Sequence, residues 1–163
     1  MSTIKLSSVL WLGVMYFIGL PHAAVAQGDI QHFSHLSVDE GLSQSSVYAI
    51  TQDPKGFMWF GTRNGLNRYD SRHVVVYQAR SGAANRLASN IVNSLLLDKR
   101  GRLWVGTSKG LALYRRQQDD FQPVSPIIAA TGKLADSTIN TLLEDSQQRV
   151  WVCTPRGLFR RQT

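Results

Sequence analysis

The stretch SVYAITQDPKGFMWFGTRNGLNRY, residues 46–69, recurs twice further along the chain. Residues 91–114 read IVNSLLLDKRGRLWVGTSKGLALY, residues 138–161 read TINTLLEDSQQRVWVCTPRGLFRR, and the three segments align without gaps. An aspartate, a tryptophan, a threonine and a Gly-Leu pair return in register, at spacings of 45 and then 47 residues. These columns are Asp53, Asp98 and Asp145; Trp59, Trp104 and Trp151; Thr62, Thr107 and Thr154; and Gly65, Gly110 and Gly157. Such self-similarity is the signature of a repeat protein.

A repeat of this length fits either propeller blades or pairs of helices, and the residues inside each unit decide between them. The first unit consists of short runs rich in β-branched and aromatic residues, separated by an Asp-Pro-Lys-Gly turn and an Asn-Gly turn. Runs of this length and composition favour strands over helices. The predicted strands of the first unit cover residues 47–51, 57–62, 66–69 and 74–77.

The second unit repeats the scheme over residues 91–97, 102–107 and 111–114, with a weaker fourth strand near Phe121. Because Pro123 has no backbone N–H to donate, that fourth strand is expected at an outer edge. Four short antiparallel strands per unit are typical of a β-propeller blade.

The sequence therefore predicts an all-β fold made of about three propeller blades. Blade 1 covers about residues 46–77, blade 2 about residues 91–124, and a partial blade 3 of three strands about residues 138–161. A closed propeller contains about four to eight blades, so this propeller is expected to be incomplete and unclosed.

The recurring residues have physical roles in such blades. The tryptophans lie in mid-strand, where an indole can fill the space between neighbouring blades. The aspartates begin turns in which a carboxylate can accept backbone N–H groups, and Gly56 and Gly101 suit the conformation of those turns. A catalytic or metal-binding role is the alternative for these acids. The third unit has Gln148 at the turn glycine and Cys153 at another glycine position, so Trp151 is expected to be only partly covered.

Residues 1–26 have the pattern of a secretory signal peptide. A lysine precedes an apolar run of twelve residues, VLWLGVMYFIGL at residues 9–20, and AVA at residues 24–26 is a small-x-small cleavage site. That run is shorter than the roughly 20 residues that span a bilayer, which disfavours a membrane anchor. We expect cleavage after Ala26, export to the periplasm, and no transmembrane span in the mature chain, residues 27–163.

The chain is basic, with 18 Lys and Arg, 11 Asp and Glu, and a formal net charge of +7. In an exported protein this charge indicates an anionic ligand such as an acidic oligosaccharide, and no nucleic acid. Arg63, Lys109 and Arg156 fall in the turn between the second and third strands of their units. Blade symmetry would place these three cations on one rim, where they are the candidate ligand-binding residues. The alternative is that turn tips simply carry soluble side chains.

The histidines do not recur at equivalent positions. Beyond the signal peptide the histidines are His32, His35 and His73, and each occurs in one unit or lead-in only. There are no paired cysteines and no His-x-His spacing, so no catalytic residue, metal site or cofactor is predicted. The single cysteine, Cys153, excludes an intramolecular disulfide and is expected to be a small buried apolar residue.

The repeat pattern V-x-x-I-x-x-D-x-x-G-x-x-W-x-G-T-x-x-G-L-x-x-Y resembles the two-component regulator propeller repeat. Residues 33–37 (FSHLS) and 39–43 (DEGLS) are similar to the segment that opens the sensor region in that family, and the resemblance covers about residues 32–161. The resemblance implies the N-terminal part of the exported sensor region of a bacterial hybrid histidine kinase or diguanylate cyclase. In that family a longer sensor, a membrane span and a cytoplasmic signalling module follow.

One functional hypothesis and two alternatives result. The hypothesis is an exported ligand-sensing propeller fragment of a two-component-type receptor, with no catalysis of its own. One alternative is a fragment of an enzyme resembling the propeller lyases, which needs a histidine base and acids at one mouth. The other alternative is a nonfunctional remnant of a truncated sensor gene. Because an arc of three blades leaves both end faces open, we expect missing downstream blades or a second copy as partners.

Overall fold

The computed structural model describes residues 33–79, 86–124 and 137–161. These residues form three antiparallel sheets, in which strands that follow one another in sequence are also hydrogen-bonded neighbours. The predicted signal peptide, residues 1–26, lies outside the described residues.

Each sheet is one blade. Blade 1 contains β1 (Val47–Gln52), β2 (Met58–Thr62), β3 (Gly65–Tyr69) and β4 (Val74–Tyr77). Blade 2 contains β5 (Val92–Leu97), β6 (Leu103–Thr107), β7 (Gly110–Arg115) and β8 (Asp120–Val124). Blade 3 contains β9 (Thr141–Glu144), β10 (Val150–Thr154) and β11 (Gly157–Arg160). None of these sheets closes on itself, which confirms the predicted all-β, unclosed arc of propeller blades.

The tight turn after the second strand of each blade is held by the recurring threonine and glycine. Thr62 Oγ1 donates to the Gly65 carbonyl at 2.9 Å and accepts the N–H of Asn64 at 3.0 Å. Gly65 has a φ of +123°, and a Cβ atom there would lie 2.5 Å from the Tyr77 carbonyl oxygen. The Thr107 and Thr154 hydroxyls donate in the same way at 2.9 and 3.0 Å, so the three hairpins share one geometry.

The blades pack face to face through two apolar clusters, each built around a tryptophan. Trp59 of blade 1 is fully buried and clusters with Val92 and Tyr114 of blade 2. Trp104 of blade 2 is 1% exposed and clusters with Ile139 of blade 3. Burying an indole removes about 150–250 Å² of surface from water, so these two side chains supply much of the apolar contact between blades.

Glycine permits neighbouring blades to approach closely. A Cβ atom on Gly61 would lie 2.8 Å from Val92 Cγ1, and one on Gly106 would lie 2.7 Å from Ile139 Cγ2. The equivalent residue of blade 3 is Cys153. The expectation that Cys153 is buried is wrong, since it is half-buried. It lies on the face of blade 3 that no described strand covers.

The two ends of the arc present apolar faces to solvent. On blade 3, Leu143 and Leu158 are 61% and 63% exposed, and with Trp151 they line an open cleft of about 360 Å³. On the opposite end, Tyr48 and Ile50 of β1 are 48% and 61% exposed. Leu158 and Trp151 occupy the strand positions of Leu66 and Trp59 in blade 1, which are buried against the next blade.

Candidate functional site

The recurring aspartate joins the turn between the first two strands to the indole between blades. In blade 2, Asp98 Oδ1 accepts the backbone N–H groups of Arg100 and Arg102 at 3.0 and 2.8 Å. Its Oδ2 accepts the Trp104 Nε1–H at 2.9 Å. The same bonds recur in the other blades, from Lys55, Phe57 and Trp59 to Asp53 and from Gln147, Arg149 and Trp151 to Asp145. The bond to the indole was not predicted from the sequence, although the constant spacing of six residues was its signal.

Each of these aspartates also forms an ion pair with an arginine. In blades 2 and 3 the arginine lies four residues further on, and Nε reaches the carboxylate at 2.6 Å (Arg102 to Asp98, Arg149 to Asp145). Blade 1 has Phe57 at that position. There the cation comes from Arg116 of blade 2, whose Nη1 lies 2.9 Å from Asp53 Oδ2. This ion pair therefore links blade 1 to blade 2.

These carboxylates are held in the ionised form. Burial opposes ionisation of Asp98, but the hydrogen bonds from Trp104 and Arg102 outweigh it, so the pKa of Asp98 lies below its ordinary value of 3.8. Burial is likewise outweighed at Asp53 by Arg116 and Trp59, and the pKa of Asp53 is also lowered. Acids that are ionised and fully engaged are not poised to act as general acids, and the geometry gives them a structural role.

The pH dependence of unfolding tests that role. Because the folded-state pKa of Asp98 lies below 3.8, its stabilising contribution is present above about pH 4 and is lost as the pH falls through the folded-state value. Asp98→Asn leaves one acceptor for the backbone but none for the Trp104 N–H. We expect it to lower the free energy of unfolding at neutral pH by about 1.5–3 kcal/mol. Urea unfolding across the acid range should then show a flatter pH dependence than the wild type, and an unchanged dependence would contradict the assignment.

A second network joins blades 1 and 2 through Asp119. Its Oδ1 accepts the hydroxyl groups of Tyr77 and Tyr114 at 2.7 and 2.5 Å and Arg68 Nη1 at 2.9 Å. Burial raises the pKa of Tyr77, and its hydrogen bond to Asp119 raises it further, so the hydroxyl stays a donor. The Tyr114 ring also meets the Trp59 ring edge-on, with centroids 4.8 Å apart. The polar groups of this network are hydrogen-bonded to one another, and the network joins blades 1 and 2.

The candidate ligand-binding cations all lie exposed in the turns after the second strands. The Thr107 hydroxyl accepts the backbone N–H of Lys109, and the Thr154 hydroxyl accepts the backbone N–H of Arg156, both at 3.1 Å. In blade 1 the equivalent residue is Asn64, and Arg63 precedes it by one position. Within the part of the chain that the structure describes, no carboxylate lies within ion-pair distance of these three side chains. Their role in ligand binding stays a prediction.

Uncharged polar side chains lie at the same end of the blades. Asn64 Nδ2 donates to the Ser43 carbonyl at 3.3 Å and its Oδ1 accepts Gln78 Nε2 at 3.0 Å. At the next blade the hydroxyls of Ser89 and Ser108 are 2.7 Å apart. These residues were not predicted from the sequence, because most lie in the segments between repeats, where no column recurs. We call this end, with its cations and polar groups, the hairpin rim.

Metal ligands do not assemble in the described ranges, where no three His, Cys, Asp or Glu residues are grouped closely enough to hold an ion. His73 is exposed, and its backbone N–H donates to Asp70 Oδ1 at 2.6 Å within the turn before β4. No helix in these ranges is long and apolar enough to cross a membrane.

Three segments match the family model of the two component regulator propeller, at residues 41–64, 86–109 and 133–156. Each match ends in the hairpin turn after the second strand of a blade. A 65-residue stretch is 40% identical to Histidine kinase P4 of Formosa agariphila, and it covers 40% of this chain and 5% of that protein.

Solved structures show the same fold. The extracellular domain of BT3049 from B. thetaiotaomicron, assigned as a hybrid two component system, is 27% identical with a TM-score of 0.65, and the match covers 74% of this chain and 17% of that one. The extracellular domain of BT4673 from the same organism is 22% identical with a TM-score of 0.65, covering 80% and 18%. This chain therefore spans less than a fifth of either structure. With a repeat of the family in each of its three blades, the chain belongs to the two component regulator propeller family.

Proposed function

We propose that the chain is a ligand-binding part of an exported sensor of the two-component type, and that it acts by binding rather than by catalysis. The family and the similarity to extracellular domains of hybrid two component systems support a sensor role. The N-terminal signal-peptide pattern supports export, with the periplasm as the destination.

The ligand is proposed to be a polyanion, such as an acidic oligosaccharide, that binds along the hairpin rim. The observation that carries this proposal is the recurrence of an exposed cation without a carboxylate partner, at nearly the same turn of each blade: Arg63, Lys109 and Arg156. Cations on one rim attract an anion that reaches across blades. Serine and asparagine groups beside them can donate hydrogen bonds to sugar hydroxyls. Because exposed charges are screened within about 8 Å at physiological ionic strength, binding should be weak and strongly salt-dependent.

A glycan array run at low and at high salt tests this proposal. We expect the wild type to bind acidic glycans at low salt but not at high salt. It should not bind neutral glycans at either salt concentration. The triple variant Arg63→Ala/Lys109→Ala/Arg156→Ala should lose this binding. Its matched control is Lys55→Ala/Arg72→Ala/Lys99→Ala, which removes the same charge from exposed positions at the other ends of the strands. Binding that survives in the first variant, or that does not respond to salt, would exclude the rim. Turnover of any bound sugar would contradict the non-catalytic part.

A further inference from the structure

A small cleft between blades 2 and 3 lies at the strand ends opposite the hairpin rim. It is lined by Arg100, Arg102, Gln148, Val150 and Arg161 and has a volume of about 100 Å³. Its walls come from the aspartate turns of the two blades and from the residue after β11. In an antiparallel meander these turns and the hairpin turns lie at opposite ends of the strands, so this cleft is separate from the rim.

The cleft holds more positive charge than the neighbouring carboxylates neutralise. Asp98 pairs with Arg102 at 2.6 Å, so that pair is neutral. Arg100 Nε reaches only the amide oxygen of Gln148, at 3.4 Å. Arg161 lies over the Trp104 ring, 4.9 Å from its centroid. Among the described residues no carboxylate is within ion-pair distance of Arg100 or Arg161, so these two guanidinium groups line the cleft without an ion-pair partner. The carboxylate of Glu144 lies nearby, where its Oε2 accepts the backbone N–H of Lys99 at 2.8 Å.

The contact between blades 1 and 2 provides an internal comparison. The residues equivalent to Arg102 and Arg161 are Phe57 and Tyr114, and Tyr114 packs edge-on against Trp59 as Arg161 packs over Trp104. The tryptophan can thus be covered equally by an aromatic ring or by a guanidinium group. Packing against the indole therefore does not require arginine at this position.

We propose that this cleft binds one oxyanion group, either a free inorganic anion or the carboxylate of a sugar acid. Its volume of about 100 Å³ suits a group of that size, since one water occupies about 30 Å³ in the liquid. Guanidinium forks match the geometry of carboxylate, sulfate and phosphate oxygens and can bind them with two parallel hydrogen bonds. The Gln148 amide can add a further donor.

The matched variant is Arg161→Tyr, which places the blade 2 residue at the equivalent position of blade 3. It should retain the contact with Trp104 while it removes one of the unpaired cations. Arg100→Gln, at an exposed turn position, removes the other cation at little risk to folding. Arg72→Ala, at an exposed position of blade 1 outside both the hairpin rim and the cleft, is the control.

The experiment titrates the full chain with inorganic phosphate, sulfate, glucuronate and glucose, monitored by calorimetry and by the NMR signal of the Trp104 indole N–H. We expect the anions to bind and to shift that signal, and glucose to do neither. Each cleft variant should weaken anion binding about tenfold or more, as expected for the loss of a charge-assisted hydrogen bond. Binding of glucuronate without phosphate would identify a sugar acid as the source, and the reverse would identify a free anion.

The proposal is overturned if no anion binds, if Arg161→Tyr and Arg100→Gln bind as the wild type does, or if the control Arg72→Ala weakens the binding equally. An unchanged melting temperature in Arg161→Tyr with weakened binding would assign the arginine to the anion. An unchanged affinity would assign it to packing alone.

Discussion

Trp59→Ala and Trp104→Ala are each expected to lower the free energy of unfolding by about 3–5 kcal/mol, the usual loss for truncating a buried tryptophan. Both indoles are buried between two blades, at 0% and 1% exposure, so truncation leaves a cavity that neither blade can fill. Each also donates its N–H to a buried aspartate, which would lose that partner. Denaturant unfolding monitored by circular dichroism measures the loss.

Trp151→Ala is the internal control for this expectation. Trp151 makes the same bond to its aspartate, at 2.8 Å, but its ring lines the open cleft at the end of the arc. Less apolar contact is lost on truncation, so the variant should be clearly less destabilised than the other two. Equal losses at all three positions would contradict the conclusion that the third blade face is uncovered.

The blade architecture could be predicted from the sequence because its signals are local and repeated. The Thr-x-x-Gly hairpin places a hydroxyl and a left-handed glycine where one turn needs them, and this holds in all three units. Pro123 was predicted to mark an outer strand, and it lies in β8 at the edge of blade 2. The third turn forms without glycine, since Gln148 adopts a φ of +61° in place of Gly101. The turn at Asp145 is therefore preserved although glutamine replaces the glycine of the repeat.

Apart from the tryptophans, contacts between blades could not be predicted, because they join residues that do not recur at equivalent positions of the repeat. Arg116 lies 63 positions from Asp53 and takes the place of an arginine that blade 1 lacks. Arg161 replaces a tyrosine of the repeat, and only the packing shows that both cover a tryptophan of the preceding blade. Cys153 was expected to be buried because a lone cysteine in an apolar strand is usually a small buried residue. Its exposure depends on whether another blade packs against blade 3, which its own neighbours in sequence do not determine.

The second large effect is expected in the state of assembly. The blade 3 face exposes Leu143 and Leu158 beside the half-buried Trp151, and the far face of blade 1 exposes Tyr48 and Ile50. Exposed apolar patches of this kind mark interaction sites, and two different faces on one chain favour head-to-tail association. Two copies would supply six blades, within the range of about four to eight that closed propellers contain. We therefore expect a second copy to cover the open faces when the chain is produced alone.

The open arc is the central claim, and multi-angle light scattering of the purified chain tests it most directly. The wild type is expected to elute with at least twice the mass of one chain. Leu143→Glu/Leu158→Lys should shift the protein toward the monomer, because it places charges on the exposed blade 3 face. The matched control Gln117→Glu/Gln118→Lys, at exposed positions of the turn between β7 and β8 of the middle blade, should leave the mass unchanged. A wild-type chain that is a sharp monomer with a cooperative melt would contradict the account.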